Sequence, residues 1–351
     1  MEIRKIRKDE VDEALCLMGR CFPKSYASIF FLYPESTFVA VSDGKIVGGI
    51  NADVYLAKVK VGYLGWLYVD EDHRGLRIGQ NLLDYAISHL EGEVDIICGC
   101  IEGDNPSSFK NLANRPGFSI MSLSKQFKVF GLRMFKVWKR ASRFFDMGYF
   151  MWHKQRGKEE SPDSLSPTLE KQLGSFFSSV FFNTLLFSLS LLIRGKLTIS
   201  SILIPFVILS LRTAFQAIVF KIRKVRPIYL SWDTSWLSSL ISVLLPFYFP
   251  TPGGVYPRGK KWSLEKEKKT LAYAALASLM ALAASLPLSL WNKNVISFSL
   301  FLLVSDSLLC FYPFCGFSAS RIARMLDKKA KVLHIAIFTL LSLMVFLFYW
   351  C

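Results

Sequence analysis

The residues most suited to chemistry form the run Asp72–Leu83, which reads D-H-R-G-L-R-I-G-Q-N-L-L. The run follows a strand-like segment, Tyr63–Val69, and leads into an amphipathic helix predicted over Gln80–Leu90. A glycine-containing turn between a strand and a helix presents free backbone N–H groups and the positive end of the helix dipole at one place. Arg74 and Arg77 add positive charge there. This run therefore predicts a binding site for a phosphorylated ligand.

The elements that must position this turn lie in residues 1–131. Ser42-Asp43-Gly44 separates two strand-like segments and is typical of a hairpin turn. The pattern predicts an α+β domain with a mixed, mostly antiparallel sheet and flanking helices. The predicted strands are Glu2–Lys8, Thr37–Val41, Lys45–Leu56, Lys58–Val69, Val94–Ile101, Phe118–Leu123 and Lys125–Phe130, and the predicted helices are Glu10–Arg20, Gln80–Leu90 and Ser107–Asn114.

The composition indicates that a second, membrane-embedded part follows. The 351 residues are 52% hydrophobic and 20% charged, with a net charge of +16 and a mean hydropathy of +0.33. The charges concentrate in the first half and the apolar residues in the second. This asymmetry predicts that the α+β domain is fused to an all-α polytopic membrane domain, with the lipid bilayer as a partner. Because the basic residues flank apolar segments, we expect no nucleic-acid partner.

Charge also predicts how the apolar segments cross the bilayer. Segment 228–250 contains Asp233, Pro246 and Pro250, and its crossing would put a basic loop outside. We therefore interpret it as re-entrant or interfacial. The result is about five spans, with the N-terminal domain in the cytosol and the C-terminus outside. The apolar segments are 176–193, 198–220, 228–250, 270–291, 295–316 and 332–350.

The stretch that joins the two parts alternates basic and bulky apolar residues. Gly131–Trp152 is interpreted as an amphipathic helix on the cytosolic membrane surface. The alternative is an ordinary helix packed against the soluble domain. Residues 157–168 are polar and rich in helix breakers, which is typical of a linker. The predicted domains are thus 1–131, 132–168 for the interfacial helix and linker, and 169–351.

The first domain resembles the GCN5-related N-acetyltransferases (GNAT). Arg74-Gly75-Leu76-Arg77-Ile78-Gly79 matches their signature of Gln or Arg, two residues, Gly, one residue, and Gly or Ala, with Arg77 in place of Gly. Gly117-Phe118 matches a common G-F pair. The resemblance implies that acetyl-CoA is the acyl donor. The residues it implies for binding are Leu67, Tyr68, Val69, Arg74, Gly75, Leu76, Arg77, Ile78, Gly79, Gln80, Asn105 and Ser108.

The residues for catalysis are less completely matched. The family's usual proton donor is a Tyr, and Ala113 stands at that position. Tyr68 is a candidate substitute, although a strand aromatic is the alternative. Glu102 is the best candidate base for deprotonating an amine, against the alternative of a solvated loop carboxylate, and Asp53 is a weaker candidate. At Arg77 the backbone is expected to avoid a conformation that only glycine tolerates.

The membrane part resembles the site-2 protease family of intramembrane zinc proteases. The family's H-E-x-x-H stretch corresponds to Arg212, Thr213 and Gln216, and its third ligand, an Asp, to Cys315. Arginine stays protonated and cannot ligate zinc, so no metal is expected and the scaffold is predicted to be non-proteolytic. Arg212 is expected either to pair with Asp306 or to reach the cytosolic surface. Pro252-Gly253-Gly254-Val255 matches the family's re-entrant glycine region.

Two functions follow from these resemblances. The first is a membrane-bound N-acetyltransferase that acetylates an amine at the cytosolic membrane surface. A lipid head group, a membrane protein or an amine-bearing small molecule would each suit that position. The alternative is an acetyl-CoA-sensing or partner-binding membrane protein with a non-proteolytic scaffold.

Overall fold

The computed structural model describes residues 1–22, 30–105, 112, 115–143, 146–157, 168–233, 236–245, 248–251, 253–257, 263–308, 318–325 and 328–350. The chain divides into two compact units. The first comprises Met1–Ile101, Asn111–Arg143 and Met151–Ser164, and the second comprises Glu102–Lys110, Phe144–Phe150 and Leu165–Cys351. The first unit therefore continues past residue 131, where the sequence placed the end of its domain.

A seven-stranded sheet is the centre of the first unit. Its strand order is β1-β2-β3-β4-β5-β7-β6. Strands β1 to β4 pair antiparallel, β5 lies parallel to β4, and β6 is antiparallel to β7. The predicted mixed, mostly antiparallel sheet is thus confirmed. The strands are β1 (Glu2–Lys5), β2 (Thr37–Ser42), β3 (Lys45–Leu56), β4 (Lys60–Val69), β5 (Ile96–Glu102), β6 (Ser119–Ile120) and β7 (Tyr149–Gln155).

Helices cover both faces of this sheet. Helix α1 (Val11–Cys21) buries Ala14, Leu17 and Met18 in one core with Tyr68 of β4. Helix α2 (Ile78–Glu91) lies on the opposite face, where Phe38 of β2 meets its aromatic residues. Because successive side chains of a strand point to opposite faces, β2 contributes to both cores. The helices predicted at Glu10–Arg20 and Gln80–Leu90 are confirmed to within two residues.

The segment Lys125–Phe130, predicted as a strand, is instead part of helix α3 (Leu123–Phe130). Ser122 caps this helix by accepting the backbone N–H of Lys125. Gln126 is wholly buried and accepts a hydrogen bond from the indole of Trp138. The N-cap serine and the two inward-facing residues Gln126 and Phe130, which lie four positions apart, favour a helix. The prediction of a strand missed both signals.

The predicted amphipathic helix Gly131–Trp152 is also wrong. A 3-10 turn at Gly131–Arg133 leads into helix α4 (Met134–Arg140), and the chain then enters β7. Trp138 and Trp152 are both fully buried. The apolar side of α4 packs within the first unit, as the alternative interpretation expected. An amphipathic pattern alone does not distinguish lipid from a protein core as the apolar neighbour.

The described part of the second unit is mainly helical and includes a short hairpin, β8 (Pro227–Leu230) and β9 (Gly254–Pro257). In the part searched, three helices are long and apolar enough to cross a membrane: Leu169–Ile193, Ile199–Ile222 and Glu265–Leu290. The helices are α5 (Leu169–Ile193), α6 (Ile199–Ile222), α7 (Trp236–Ser242), α8 (Leu264–Ser285), α9 (Asn294–Leu308), α10 (Ser318–Met325) and α11 (Lys328–Trp350).

The described residues of segment 228–250 form the end of β8 and the short α7 rather than one long helix. Its re-entrant or interfacial placement stays a prediction. Asn183 of α5 satisfies the irregular backbone that follows. Its Oδ1 accepts the N–H of Thr251 and the hydroxyl of Tyr248, each at 3.0 Å. Its Nδ2 donates to the carbonyls of Ser179 at 2.9 Å and Thr251 at 3.3 Å. Such bonds are essential where water is excluded.

We predict that Asn183→Leu destabilises the second unit. The substitution keeps the side-chain size but leaves the Thr251 N–H and the Tyr248 hydroxyl buried without their acceptor, at a cost of about 2–5 kcal/mol for the two groups. Thermal unfolding of the full chain in detergent micelles measures the effect. Ser188→Ala is the control, because no described residue bonds the buried Ser188 hydroxyl. An unchanged midpoint for Asn183→Leu contradicts the prediction.

Candidate functional site

The predicted anion turn lies between β4 and α2. Asp70 ends the strand by accepting the N–H of Glu71 at 2.9 Å, which starts a 3-10 turn at Glu71–His73. Gly75 has a φ of +88° and Arg77 a φ of +61°. These two positive φ angles reverse the chain so that α2 begins at Ile78. The turn is therefore built from backbone conformations that the sequence alone does not specify.

The first turn of α2 is left open toward an anion. Its N-cap residue, Arg77, makes no side-chain cap bond, and the turn, which the structure describes throughout, contains no acidic residue. The first N–H groups of a helix have no intrahelical acceptor and carry the positive end of the dipole. Arg74 and Arg77 are exposed beside them, and Arg74 also forms an ion pair with Glu71 at 3.5 Å. The geometry therefore fits a phosphate group.

Arg77 does adopt a left-handed conformation, with φ +61° and ψ +14°. The expectation that its backbone would avoid a glycine-like conformation is therefore wrong. This left-handed region is open to residues with a side chain, at a cost of about 1–2 kcal/mol. An arginine therefore adopts, at this position, a conformation that glycine reaches at lower cost.

Strands β4 and β5 separate beside this turn. Their parallel register pairs Val61 with Ile96 and ends with Leu64 opposite Gly99. Strand β4 nevertheless continues to Val69, and β5 to Glu102. The stretch after Leu64 leads directly to the anion turn. An extended ligand anchored at the turn can therefore lie along β4 where the β5 ladder has ended.

A bulge in β4 accompanies this separation. Asn51 of β3 pairs with Gly65 and Gly49 pairs with Tyr68, so that two residues of β4 stand opposite Ile50 alone. Trp66 in this bulge has a φ of +48°. A positive φ at a bulky residue is uncommon and strained, and bulges occur beside active sites, where they redirect a side chain.

The structure places part of the predicted binding set together. Leu67 and Val69 are half-buried on β4, and the residues from Arg74 to Gln80 form the turn and the start of α2. Gly79 lies over the strand, since a Cβ there would stand 3.4 Å from Val69 Cγ2. Ser108 and Ala113 lie outside the described residues.

Glu102 and Asn105, which the sequence also predicted as site residues, belong to the second compact unit. Glu102 is the last residue of β5, and its carbonyl accepts the N–H of Asn105 at 3.0 Å. This bond closes a tight turn after the strand. The roles assigned to both side chains stay predictions.

Tyr68 is almost wholly buried, at 2% exposure, in the core beneath α1. Its hydroxyl has no hydrogen-bond partner among the described residues. Burial raises its pKa above the ordinary value for tyrosine, so the proton stays on the oxygen at neutral pH. Gly49 leaves space for this hydroxyl, because a Cβ there would stand 2.4 Å from the Tyr68 Oη.

Cys21 at the end of α1 is a neighbour that the sequence did not predict. Its thiol donates to the carbonyl of Val69 over 3.4 Å. Burial raises its pKa, while the positive charge of Arg74 opposes the rise. Helix α1 therefore also contacts the strand end that leads into the anion turn. Because Cys21 and Val69 are 48 residues apart in the chain, the sequence does not reveal this contact.

Polar residues at the predicted protease-like positions form hydrogen bonds in the second unit. Gln216 accepts the N–H of Val255 at 3.2 Å and donates to Ser278 Oγ at 2.5 Å. Arg212 is 2% exposed and donates to the carbonyl of Gly253 at 3.1 Å. Its burial does not fit the expectation that it reaches the surface. The side chain of Asp306 lies outside the described set, so the predicted pair with Arg212 stays a prediction.

The described part of the chain contains no group of three His, Cys, Asp or Glu side chains placed to hold a metal ion. Cys315, which was considered as a remnant of a zinc ligand set, is outside that part. Arg212 and Gln216 are occupied with hydrogen bonds to the segment around β9.

Comparison with known proteins identifies the domain that holds the anion turn. Residues 5–110 match the model of the Acetyltransferase (GNAT) family. A GNAT acetyltransferase domain therefore lies in this part of the chain, as the resemblance predicted. No curated protein matches the chain.

Solved structures similar to the chain share little sequence with it. N-acetylglutamate synthase from Neisseria gonorrhoeae, complexed with coenzyme A and N-acetyl-glutamate, is 15% identical with a TM-score of 0.34, over 45% of this chain and 35% of that one. The chain thus spans about a third of that structure. PH1933 from Pyrococcus horikoshii OT3 is 17% identical, with a TM-score of 0.34, and the match covers 45% of this chain and 99% of PH1933. The ribosomal-protein-S18-alanine N-acetyltransferase from Escherichia coli is 15% identical, with a TM-score of 0.30. The match covers 46% of this chain and 96% of that enzyme.

We predict that Arg77→Gly is more stable than Arg77→Ala. Both variants lose the same charge, but only glycine adopts the left-handed conformation without steric cost, so the free energies of unfolding should differ by about 1 kcal/mol. Chemical unfolding of the two variants, followed by circular dichroism, measures the difference. Equal stability would show that the turn changes its backbone when the arginine is removed.

Proposed function

We propose that the protein is a membrane-bound N-acetyltransferase that transfers an acetyl group from acetyl-CoA to an amine at the cytosolic membrane surface. The observation that carries this proposal is the uncapped first turn of α2 beside the separated end of β4. The GNAT match over residues 5–110 supports the same assignment.

The two features fit two parts of acetyl-CoA. The pyrophosphate would accept N–H groups from the start of α2, with Arg74 and Arg77 adding positive charge. The extended arm would run along Leu67–Val69 in place of the missing strand neighbour. At about 3.3 Å per residue, the stretch from Val69 back to Trp66 is roughly 10 Å long. The thioester would thus lie at or beyond the bulge.

The chemistry needs a free amine and a protonated leaving group. The amine nitrogen forms a bond to the acetyl carbon, the carbon–sulfur bond breaks, the amine loses a proton and the CoA sulfur gains one. Glu102 is the proposed base. Tyr68, the candidate donor in the sequence, is 2% exposed in the core beneath α1, and burial raises its pKa, which makes its hydroxyl a weaker proton donor. The CoA sulfur can instead take its proton from water. Acetyl-CoA is the only cofactor in this scheme, and it requires no metal.

The apolar helices support attachment to a membrane. Helix α5 exposes apolar side chains at a spacing of four residues, which places them along one side of the helix. A stripe of this kind in water is unfavourable, whereas lipid matches it. Together with the basic loops, it supports an integral membrane protein with a cytosolic acetyltransferase domain. The stripe consists of Phe177, Phe181, Leu185 and Leu189.

The second candidate is an acetyl-CoA sensor on a site-2-protease-like, non-proteolytic scaffold. Two observations favour it. Ala113 replaces the family's usual proton donor. In addition, Arg212 and Gln216 make hydrogen bonds to Gly253 and Val255, where the resemblance would place a zinc site. A scaffold of this kind would hold a membrane protein partner without cleaving it.

We predict that Arg74→Ala weakens acetyl-CoA binding by about fivefold to tenfold, because one charge-assisted contact to the pyrophosphate is lost. Isothermal titration calorimetry of the full chain in detergent measures the change. Lys60→Ala is the matched control, since Lys60 lies at the opposite end of β4. If the wild-type chain does not bind acetyl-CoA, both candidate functions are wrong.

We predict that Glu102→Gln separates the enzyme from the sensor. If Glu102 is the base, the variant binds acetyl-CoA with unchanged affinity but transfers the acetyl group to an amine at least a hundredfold more slowly. Release of the CoA thiol in the presence of an amine panel measures the rate. Binding without any amine-dependent release by the wild-type chain would favour the sensor.

A further inference from the structure

We propose that the acceptor of the acetyl group is a primary alkylamine that bears an aromatic ring, bound by a cluster of aromatic residues around Trp66. This inference rests on the proposed acetyl transfer and adds the substrate class. We name Phe22, Phe30, Phe31, Tyr33 and Trp66 the aromatic wall. All five belong to the first compact unit.

The wall starts at the strained bulge. Trp66 follows Gly65 at the point where β4 has just left the β5 ladder. The indole packs against the core beneath α1 that contains Tyr68, although the backbone of Trp66 has a positive φ. The bulge therefore holds this indole beside the separated strands.

Three phenylalanine rings surround this indole. The ring centroids of Phe22, Phe30 and Phe31 lie 5.5, 5.3 and 6.1 Å from that of Trp66, and each meets it edge-on. Phe22, Phe30, Phe31 and Trp66 are all only partly buried. The wall thus keeps aromatic surface within reach of a ligand, in an arrangement that favours a further edge-to-face or stacked ring.

Hydrogen bonds and an ion pair hold the outer part of the wall. Asn51, 3% exposed, donates to the carbonyl of Phe31 at 3.1 Å. The ring of Phe31 lies 5.4 Å from that of Tyr33. The guanidinium of Arg140 stands 5.3 Å above the Tyr33 ring and bonds to Asp53 at 2.6 Å. The loop before β2 is therefore fixed against β3 and α4.

The charges beside the wall do not favour an acceptor that is recognised mainly through a salt bridge. Asp53 compensates Arg140, so this pair adds no net charge beside the wall. Within the wall itself, the aromatic surface is the feature that can select a ligand. Rings attract other rings through their edges and faces, and they attract an ammonium group through their faces. An alkylamine that bears an aromatic ring offers both, whereas a saturated amine of the same size offers only the ammonium group.

The reaction balances without a further reactant. The nitrogen of the ring-bearing alkylamine bonds to the acetyl carbon of acetyl-CoA as the carbon–sulfur bond breaks. The amine proton passes to the base, and the CoA sulfur takes a proton. The products are the N-acetyl amine and CoA.

The test compares 2-phenylethylamine with 2-cyclohexylethylamine, which have the same carbon skeleton and differ in aromaticity. Release of the CoA thiol by the full chain in detergent should show kcat/KM at least tenfold higher for 2-phenylethylamine. Phe31→Leu and Tyr33→Leu should each raise its KM at least fivefold and leave acetyl-CoA affinity unchanged. Tyr85→Leu is the control, because Tyr85 is an exposed aromatic on the opposite face of the sheet.

Each other outcome is informative. Equal kcat/KM for the two amines overturns the inference, as does an unchanged KM in both wall variants. If the chain binds acetyl-CoA in calorimetry but acetylates neither amine, the inference is overturned and the acetyl-CoA site stands. If it does not bind acetyl-CoA, the proposed function itself is overturned.

Arg140 is a positioning residue in this scheme, since it acts through Tyr33. Arg140→Gln should raise the KM for 2-phenylethylamine and leave kcat within twofold, and Arg140→Lys should restore part of the KM. A loss of kcat with an unchanged KM, in variants whose thermal midpoints match the wild type, would contradict the role.

Discussion

The separation of β4 from β5 is the constraint on which the proposed site depends. A continuous ladder would close the edge of β4 and leave no place for an extended ligand. Here the parallel register ends at Leu64 and Gly99, and the bulge at Trp66 follows at once. Because Val69 lies only three residues further on, the open edge runs directly into the turn that starts α2. One irregularity in the sheet thus connects the anion turn, the strand edge and the aromatic wall.

The second unit is governed by a different constraint, which is the need to pair backbone groups where apolar side chains exclude water. Asn183 satisfies the segment after α7, and Arg212 and Gln216 satisfy the segment around β9. These side chains are buried polar residues inside long apolar helices. Each would be costly if unpaired, and each is placed where an irregular segment needs a partner. Arg212 and Gln216 therefore have a structural use of their own, whether or not these positions correspond to zinc ligands in other proteins.

The predictions from sequence succeeded where a signal was local. The hairpin around Asp43, the helices α1 and α2 and the glycine-containing turn each follow from residues close together in the chain. The predictions failed between residues 125 and 152. The pattern there fits a core-facing helix, a strand or a membrane-surface helix equally well, and burial of Trp138 and Trp152 decided among them. The aromatic wall was missed for a related reason, since Trp66 and Phe31 are far apart in the sequence and meet only in the folded sheet.

The sequence by itself determined that a glycine-containing turn joins a strand to a helix, that this domain is α+β, and that the later half is apolar and helical. Periodicity, glycine spacing and charge are local quantities, so the chain encodes them directly. Only the tertiary structure decided where β4 leaves β5, that Arg77 adopts a left-handed conformation, and that Asp53, Arg140 and Tyr33 come together. These features depend on contacts between residues far apart in the chain, and those contacts set the backbone angles that local preference disfavours.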